Sequence, residues 1–286
     1  MIVLRAVADL RDAVASARRL QDRVGLVPTM GAFHDGHLSL MRRARECCDC
    51  VIVSLFVNPA QFTDPEDLAR YPRDETLDAT LAASAGADVL FAPPVSVVYP
   101  PGFSTHVEVL GVSAPLEGVV RGTEHFRGVA TVVAKLFNMV QPDDAFFGQK
   151  DAQQALLVRR MVRDLDLPVR IEVCPTVREP DGLAMSSRNA LLLPEDRRRA
   201  PALARALAAV VDAVAAGERD AARALGAGTA VLRAAAIEPE YFAAVSTEAL
   251  EPVDVIAGET LIALAARLGS IRLIDNALVD PAVRRA

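Results

Sequence analysis

At 286 residues, with 52% hydrophobic and 24% charged residues, the chain has the composition of a folded globular protein and the length for two domains. No run of about 18 uncharged apolar residues occurs, so no membrane span is read, and the opening Met-Ile-Val-Leu-Arg lacks the basic start of a secretory signal, so a cytoplasmic location is expected. A net charge of −6 without a lysine and arginine stripe argues against a nucleic-acid partner; Arg197, Arg198 and Arg199 follow Pro194-Glu195-Asp196 and read as a solvated helix face.

Taken in chain order, the apolar run over 24–29 predicts the first functional strand, 38–47 a helix, and 50–57 a strand apolar throughout, as in a parallel sheet covered on both faces. Residues 64–86 read as helical with an interruption at Pro72, 88–92 as a short strand, and 105–109 as an exposed strand by its alternation. A helix over 128–140 stops at Gln141-Pro142, a strand follows over 145–147, a helix over 151–165 with Asp151 near its N-cap, and a strand over 169–173. This βαβ progression predicts an α/β fold, a Rossmann-like open parallel sheet with helices on both faces and right-handed crossovers.

The last hundred residues change in texture. Ala-rich helices are expected over 194–217 and 221–235, because Leu and Val recur at helical spacing, then strands over 241–245, 260–266 and 271–274. They predict a smaller C-terminal α+β domain hinged near 178–189, with the domains running 1–185 and 186–286.

Three polar clusters fall just after predicted parallel strands, the edge at which open α/β sheets bind ligands. After the first strand, residues 28–37 read Pro-Thr-Met-Gly-Ala-Phe-His-Asp-Gly-His, a glycine turn into a helix start. Free N–H groups there suit a phosphate, and Gly36 allows close backbone approach. His34 and His37 are three apart, so on a helix they share a face, and a nearby triphosphate would favour their charged form. The plainer alternative is that two histidines merely cap a helix. Asn58, Pro59, Ala60 and Gln61 form the second cluster, and Gly148, Gln149, Lys150 and Asp151 the third.

Lys150, one of only two lysines, sits between a glycine-led turn and a helix start, where an ammonium would stabilise growing phosphoryl charge; alternatively it pairs with Asp151 at the surface. Gln61 and Gln154 offer donor and acceptor without charge, suited to a substrate's hydroxyl and carboxylate. The segment 181–189 carries Ser186, Ser187 and Arg188 in a loop able to fold onto phosphates, or else an ordinary linker with helix-capping serines. Cys47, Cys48, Cys50 and Cys174 lack metal-ligand spacing and read as buried thiols in a reducing compartment.

Together these segments resemble the pantoate–β-alanine ligases, the pantothenate synthetases of the nucleotidylyltransferase superfamily. The matching stretches are PTMGAFHDGH (28–37), SLFVNPAQF (54–62), YPRDETLD (71–78), HFRGVATVVAKLFN (125–138), FFGQKDAQQ (146–154), PTVREPDGLAMSSRN (175–189) and the closing RLGSIRLIDN (267–276). The resemblance implies a two-step reaction. The carboxylate of pantoate attacks the α-phosphate of ATP and expels pyrophosphate; the amine of β-alanine then attacks the pantoyl adenylate, giving pantothenate and AMP.

By the same resemblance, Met30, Gly31, Ala32, Phe33, His34, Asp35, Gly36 and His37 would line the ATP site, with His37 as proton donor. Gly148, Gln149, Lys150 and Asp151, with Met185, Ser186, Ser187 and Arg188, would embrace the nucleotide, and Val177 would meet adenine through its backbone. Gln61 and Gln154 would hold pantoate, Gln61 also lying near β-alanine, with Asn58 grouped beside them. Mg²⁺ is implied by the triphosphate, bound mostly by phosphate oxygens and water, with Asp78 as the one side chain worth testing. A homodimer is also implied. Two departures stand out: Gln149 and Asp35 each occupy a position where glutamate is common among relatives. Competing readings are an adenylyltransferase acting on a phosphorylated acceptor, which would need more cationic side chains than this chain offers, and a non-catalytic nucleotide sensor. A nicotinamide dehydrogenase fits worse, because no G-x-G-x-x-G follows the first strand.

Overall fold

The structure is a computed structural model that describes residues 1–282. It divides into two compact units, one formed by Met1–Gln149 and Gln153–Pro175, the other by Lys150–Ala152 and the chain from Thr176 onward.

The first unit contains β1 (Ile2–Leu4), α1 (Val7–Arg19), β2 (Val24–Thr29), α2 (Asp35–Cys47), β3 (Cys50–Leu55), α3 (Pro65–Arg70), α4 (Glu75–Ser84), β4 (Val89–Phe91), the short α5 (Val95–Val98) and α6 (Glu117–Arg121), α7 (Thr123–Val140), β5 (Asp144–Gly148), α8 (Ala152–Asp164) and β6 (Arg170–Cys174). All six strands pair in parallel, in the order β1-β4-β3-β2-β5-β6. The chain leaves β2 through α2 toward β3 on one side, whereas β5 leads through α8 to β6 on the other. A topological switch point therefore lies between β2 and β5. Val24, Leu26, Val27, Val51, Ile52 and Val53 are fully buried, as continuous apolar strands covered on both faces require.

Asp144 opens β5 with its side chain wholly buried, and Arg23 and Arg170 both pair with it, the latter at 2.5 Å. Burial alone would push its carboxyl up; the hydrogen bonds and charge of the two guanidiniums outweigh that and hold it below the usual aspartate range. The four cysteines are free thiols; Cys48, Cys50 and Cys174 are buried as expected, whereas Cys47, on the last turn of α2, is only half-buried. Burial pushes Cys48 up to about 12 and Cys174 to about 11, and raises Cys50.

The second unit contains α9 (Pro194–Arg199), α10 (Ala202–Ala215), α11 (Ala221–Ala234) and the antiparallel sheet β7 (Pro239–Ser246), β8 (Thr260–Leu268) and β9 (Ile271–Val279). Leu203, Leu207, Val210, Leu232, Ile262 and Leu264 form its core between the helices and the sheet.

The sequence expectations hold for most elements and fail at identifiable places. The 105–109 segment is not a strand: Val107 gives its N–H to Thr131 Oγ1 on α7 at 3.0 Å instead of to a ladder. The helix expected over 194–217 is two helices, broken at Ala200-Pro201 because proline has no N–H to continue the ladder. The closing strand runs to Val279, its full length paired with β8.

Candidate active site

The glycine turn after β2 is built against α4. Gly31 (φ 90°) and Ala32 (φ 52°) both take left-handed backbone, so the amides of Ala32 and Phe33 point the same way. Both donate to Asp78, to Oδ2 at 2.9 Å and Oδ1 at 2.8 Å, and Asp78 is only 2% exposed. A Cβ at Gly31 would lie 2.6 Å from Leu55 and 2.8 Å from Asp78 Oδ2, so only glycine fits.

The chain then enters α2 through a reciprocal cap. His34, the N-cap, accepts at Nδ1 from the Gly36 amide (3.1 Å), and His37 Nδ1 accepts from the His34 amide (3.4 Å). An accepting Nδ1 carries no hydrogen, so both rings take the Nε2–H tautomer in this arrangement. Their centroids are 4.2 Å apart, and the Phe33 ring lies 5.5 Å from His37. The capping role weighed from the sequence is thus real. It makes each imidazole a neutral donor through Nε2 at the positive end of a helix.

The second cluster follows β3. Asn58 is 1% exposed and caps a short 3-10 turn over Pro59–Gln61. Gln61 is half-buried, and its Nε2 lies 2.8 Å from Met30 Sδ, joining this cluster directly to the turn after β2. The third cluster follows β5. Gly148 has nothing within 4 Å of where a Cβ would sit, and Gln154 is half-buried on the first turns of α8. Because β3, β2 and β5 are consecutive in the sheet, the turns that follow them lie in sequence along one edge, centred on the switch point.

The remaining expected residues belong to the second unit. Lys150 and Asp151 follow Gln149 in a 3-10 turn, their charges 3.6 Å apart, and the Lys150 carbonyl accepts from Asn276 on β9. Met185 donates its N–H to the Val177 carbonyl at 2.9 Å, closing a hairpin that the Arg178–Ala184 bridge continues. Arg178 binds Asp275 through both guanidinium nitrogens, at 2.7 and 3.1 Å. Ser186 Oγ accepts from the Arg188 amide at 3.3 Å, while Ser187 and Arg188 are exposed.

No group of three or more His, Cys, Asp or Glu side chains able to cage a metal occurs among the described residues. Both Asp78 oxygens already hold backbone amides, which does not suit it to a second task as a magnesium ligand.

Sequence reasoning missed Asp78 as the clamp of the turn, Tyr99 beside Asn58, and Asn276 on Lys150. The signals were present, since Asp78 ends YPRDETLD and Asn276 ends RLGSIRLIDN, but long-range hydrogen bonds leave no local pattern.

Residues 2–278 match the family model described as Pantoate-beta-alanine ligase. The chain belongs to that family. The pantothenate synthetase of Roseiflexus castenholzii is 51% identical over 278 residues, covering 97% of this chain and all of that protein. That of Moorella thermoacetica is 52% identical over 281 residues, 98% of this chain and 99% of its own. Among solved structures, the Thermus thermophilus pantothenate synthetase has a TM-score of 0.90 at 49% identity, covering 97% of this chain and 99% of that one. A Francisella tularensis pantoate-beta-alanine ligase, complexed with Beta-gamma ATP and beta-alanine, has a TM-score of 0.79 at 34% identity and covers 99% of this chain and all of that one. Membership of the pantoate-beta-alanine ligase family thus extends through both units of the chain.

Proposed function

We propose that the chain condenses pantoate with β-alanine at the expense of ATP, through a pantoyl adenylate, releasing pyrophosphate and then AMP. The observation that supports this best in the molecule itself is the direct neighbourhood of two recognition elements of different kinds. A helix start bearing two imidazole donors suits a polyphosphate, and beside it the neutral amide of Gln61 suits a polar, uncharged or carboxylate-bearing acceptor. A phosphorylated acceptor would demand cations where Gln61 and Gln154 stand.

In this reading, the turn from Met30 to His37 holds the ATP phosphates. His34 and His37 donate hydrogen bonds through Nε2 to phosphate oxygens, His37 at the reacting phosphate. Lys150 meets the negative charge that grows on the phosphoryl group as pyrophosphate leaves, while Gly148, Gln149 and Asp151 line the nucleotide beside it. Val177 presents its backbone to adenine, and Met185, Ser186, Ser187 and Arg188 embrace the nucleotide, the hydroxyls and guanidinium on phosphate oxygens. Gln61 and Gln154 hold pantoate. Magnesium enters as the counter-ion of the triphosphate, on phosphate oxygens and water, with ATP bringing it in. We place the enzyme in the cytoplasm as a homodimer; among the described residues no helix is long and apolar enough to cross a membrane.

The deciding experiment is exchange of labelled pyrophosphate into ATP. Exchange that needs pantoate and proceeds without β-alanine is expected, and replacing His34, His37 or Lys150 by alanine should lower it about 100-fold or more with the fold intact. Exchange indifferent to pantoate would overturn the reading.

A further inference from the structure

We propose that Tyr99 is a positioning residue for substrate recognition: acting through Asn58, it fixes the Gln61 amide with its N–H₂ group turned toward the substrate. The proposal rests on Gln61 being a pantoate contact, as above.

The geometry starts at Asn58, whose amide is fully used. Oδ1 accepts from the Ala60 amide at 3.2 Å and from the Tyr99 hydroxyl at 2.8 Å; Nδ2 donates to the Gly128 carbonyl at 3.1 Å and to Gln61 Oε1 at 3.1 Å. Two donors and two lone pairs are all that an asparagine side chain has. Its orientation is not arbitrary either. A backbone N–H can only donate and a backbone carbonyl can only accept, so Ala60 and Gly128 decide which end of the amide is oxygen.

That choice propagates. With Nδ2 facing Gln61, Gln61 must present Oε1 to Asn58 and send Nε2 the other way, where it now lies against Met30 Sδ, a weak acceptor. A carboxylate or hydroxyl oxygen of a substrate is the better acceptor for that group. Gln61 therefore works as a donor, which fits the carboxylate of an acid substrate.

Tyr99 completes the arrangement from behind. Its ring packs between Phe56 and Phe103, at centroid distances of 6.2 and 5.1 Å, and burial pushes its hydroxyl up to about 12, so it stays protonated and able to donate at neutral pH. The backbone of the same turn is held independently. His125 donates from Nδ1 to the Gln61 carbonyl at 2.6 Å, and Gly128 brings α7 so close that a Cβ there would lie 2.2 Å from the Ala60 oxygen. The HFRG start of the 125–138 motif thus backs the turn that carries Gln61.

Removing the Tyr99 hydroxyl leaves a buried Asn58 oxygen short of one partner and frees the amide to rock. The test is Tyr99→Phe in the full chain, assayed by pyrophosphate exchange without β-alanine. The KM for pantoate should rise three- to tenfold, the size of one lost hydrogen bond, with the KM for ATP nearly unchanged and the thermal midpoint lowered by only about 2–4 °C. In a Gln61→Ala background the same substitution should leave the KM for pantoate unmoved. Equal rises in both KM values, no rise in either, or an undiminished effect in the Gln61→Ala background would each overturn the assignment to Tyr99. If Gln61→Ala alone leaves pantoate binding untouched, the role of Gln61 fails, and the relay through Tyr99 falls with it.

Discussion

Asn276 Nδ2 donates to the carbonyl of Lys150 at 3.0 Å, tying the turn that carries the lysine to a strand 126 residues away. Asn276 is 6% exposed within β9, and its neighbour Asp275 holds Arg178, so one short stretch of strand supports two loops that carry expected nucleotide contacts. Loss of this bond by Asn276→Ala should cost about 1 kcal/mol of stability. The larger effect should fall on chemistry, with pyrophosphate exchange lowered about tenfold, since small misplacements of a catalytic group are expensive in rate. Single-turnover exchange and a denaturant curve on the same preparation check both; unchanged exchange would remove Asn276 from the support of Lys150.

A second expectation concerns Asp78. Its two oxygens hold two amides of the glycine turn, and an asparagine would face one of those N–H groups with its own. Asp78→Asn should therefore cost about 2 kcal/mol in urea unfolding and raise the KM for ATP, because the turn that presents His34 would relax. Full retention of both stability and ATP affinity would show that the turn holds itself.

These two residues mark how far the sequence could be read. Strands β2 to β6 and the longer helices between them were legible because apolar runs and helical periods are local signals, whereas the short α5 and α6 give too few turns to show a period; the strand over Val24–Thr29 appears with the bounds expected. β1 was not read, since Ile2–Leu4, though apolar, is only three residues long and lies at the sheet edge. Asn58 was grouped with the substrate contacts because it follows a strand in the right place, yet it is 1% exposed and bonded on all sides. Spacing can say that a polar side chain stands near a site, but not whether it faces the ligand or the wall behind. The histidine pair illustrates the same limit: the H-x-x-H spacing fits a phosphate-facing pair and a helix cap alike, and only the structure shows the reciprocal cap.

Two glycines should respond in opposite ways. At Gly128 an added methyl would lie 2.2 Å from a backbone oxygen, so Gly128→Ala should destabilise by about 1–3 kcal/mol and raise the KM for pantoate through the Gln61 turn. At Gly148 nothing lies within 4 Å, so Gly148→Ala should change stability by less than about 0.5 kcal/mol while weakening ATP binding, as expected where a ligand approaches bare backbone. Calorimetric unfolding paired with nucleotide titration separates the two, and a Gly148→Ala protein with normal ATP affinity would count against close approach there.

The buried carboxylate at the far end of β5 predicts an acid limb. Its folded value lies below the ordinary one, so the stability it contributes is fully present above the unfolded pKa of about 3.9 and disappears as pH falls through the folded value. At pH 7, Asp144→Asn should be about 1–2 kcal/mol less stable, because two charge-assisted hydrogen bonds are lost while the half-exposed guanidiniums stay solvated and Arg170 keeps Glu172. The gap between the two proteins should narrow below about pH 4. A gap of constant size from neutral to acid pH would place the effect in packing rather than charge.

The sheltered thiols have a practical corollary. With Cys48, Cys50 and Cys174 all shifted toward the protonated, unreactive form and little surface to offer, maleimide chemistry at neutral pH has mainly Cys47 to contend with. Exchanging that one residue for serine would give a background into which a single dye-bearing cysteine could be introduced, for instance at exposed Ser187, so that fluorescence reports on the phosphate loop while nucleotide is added.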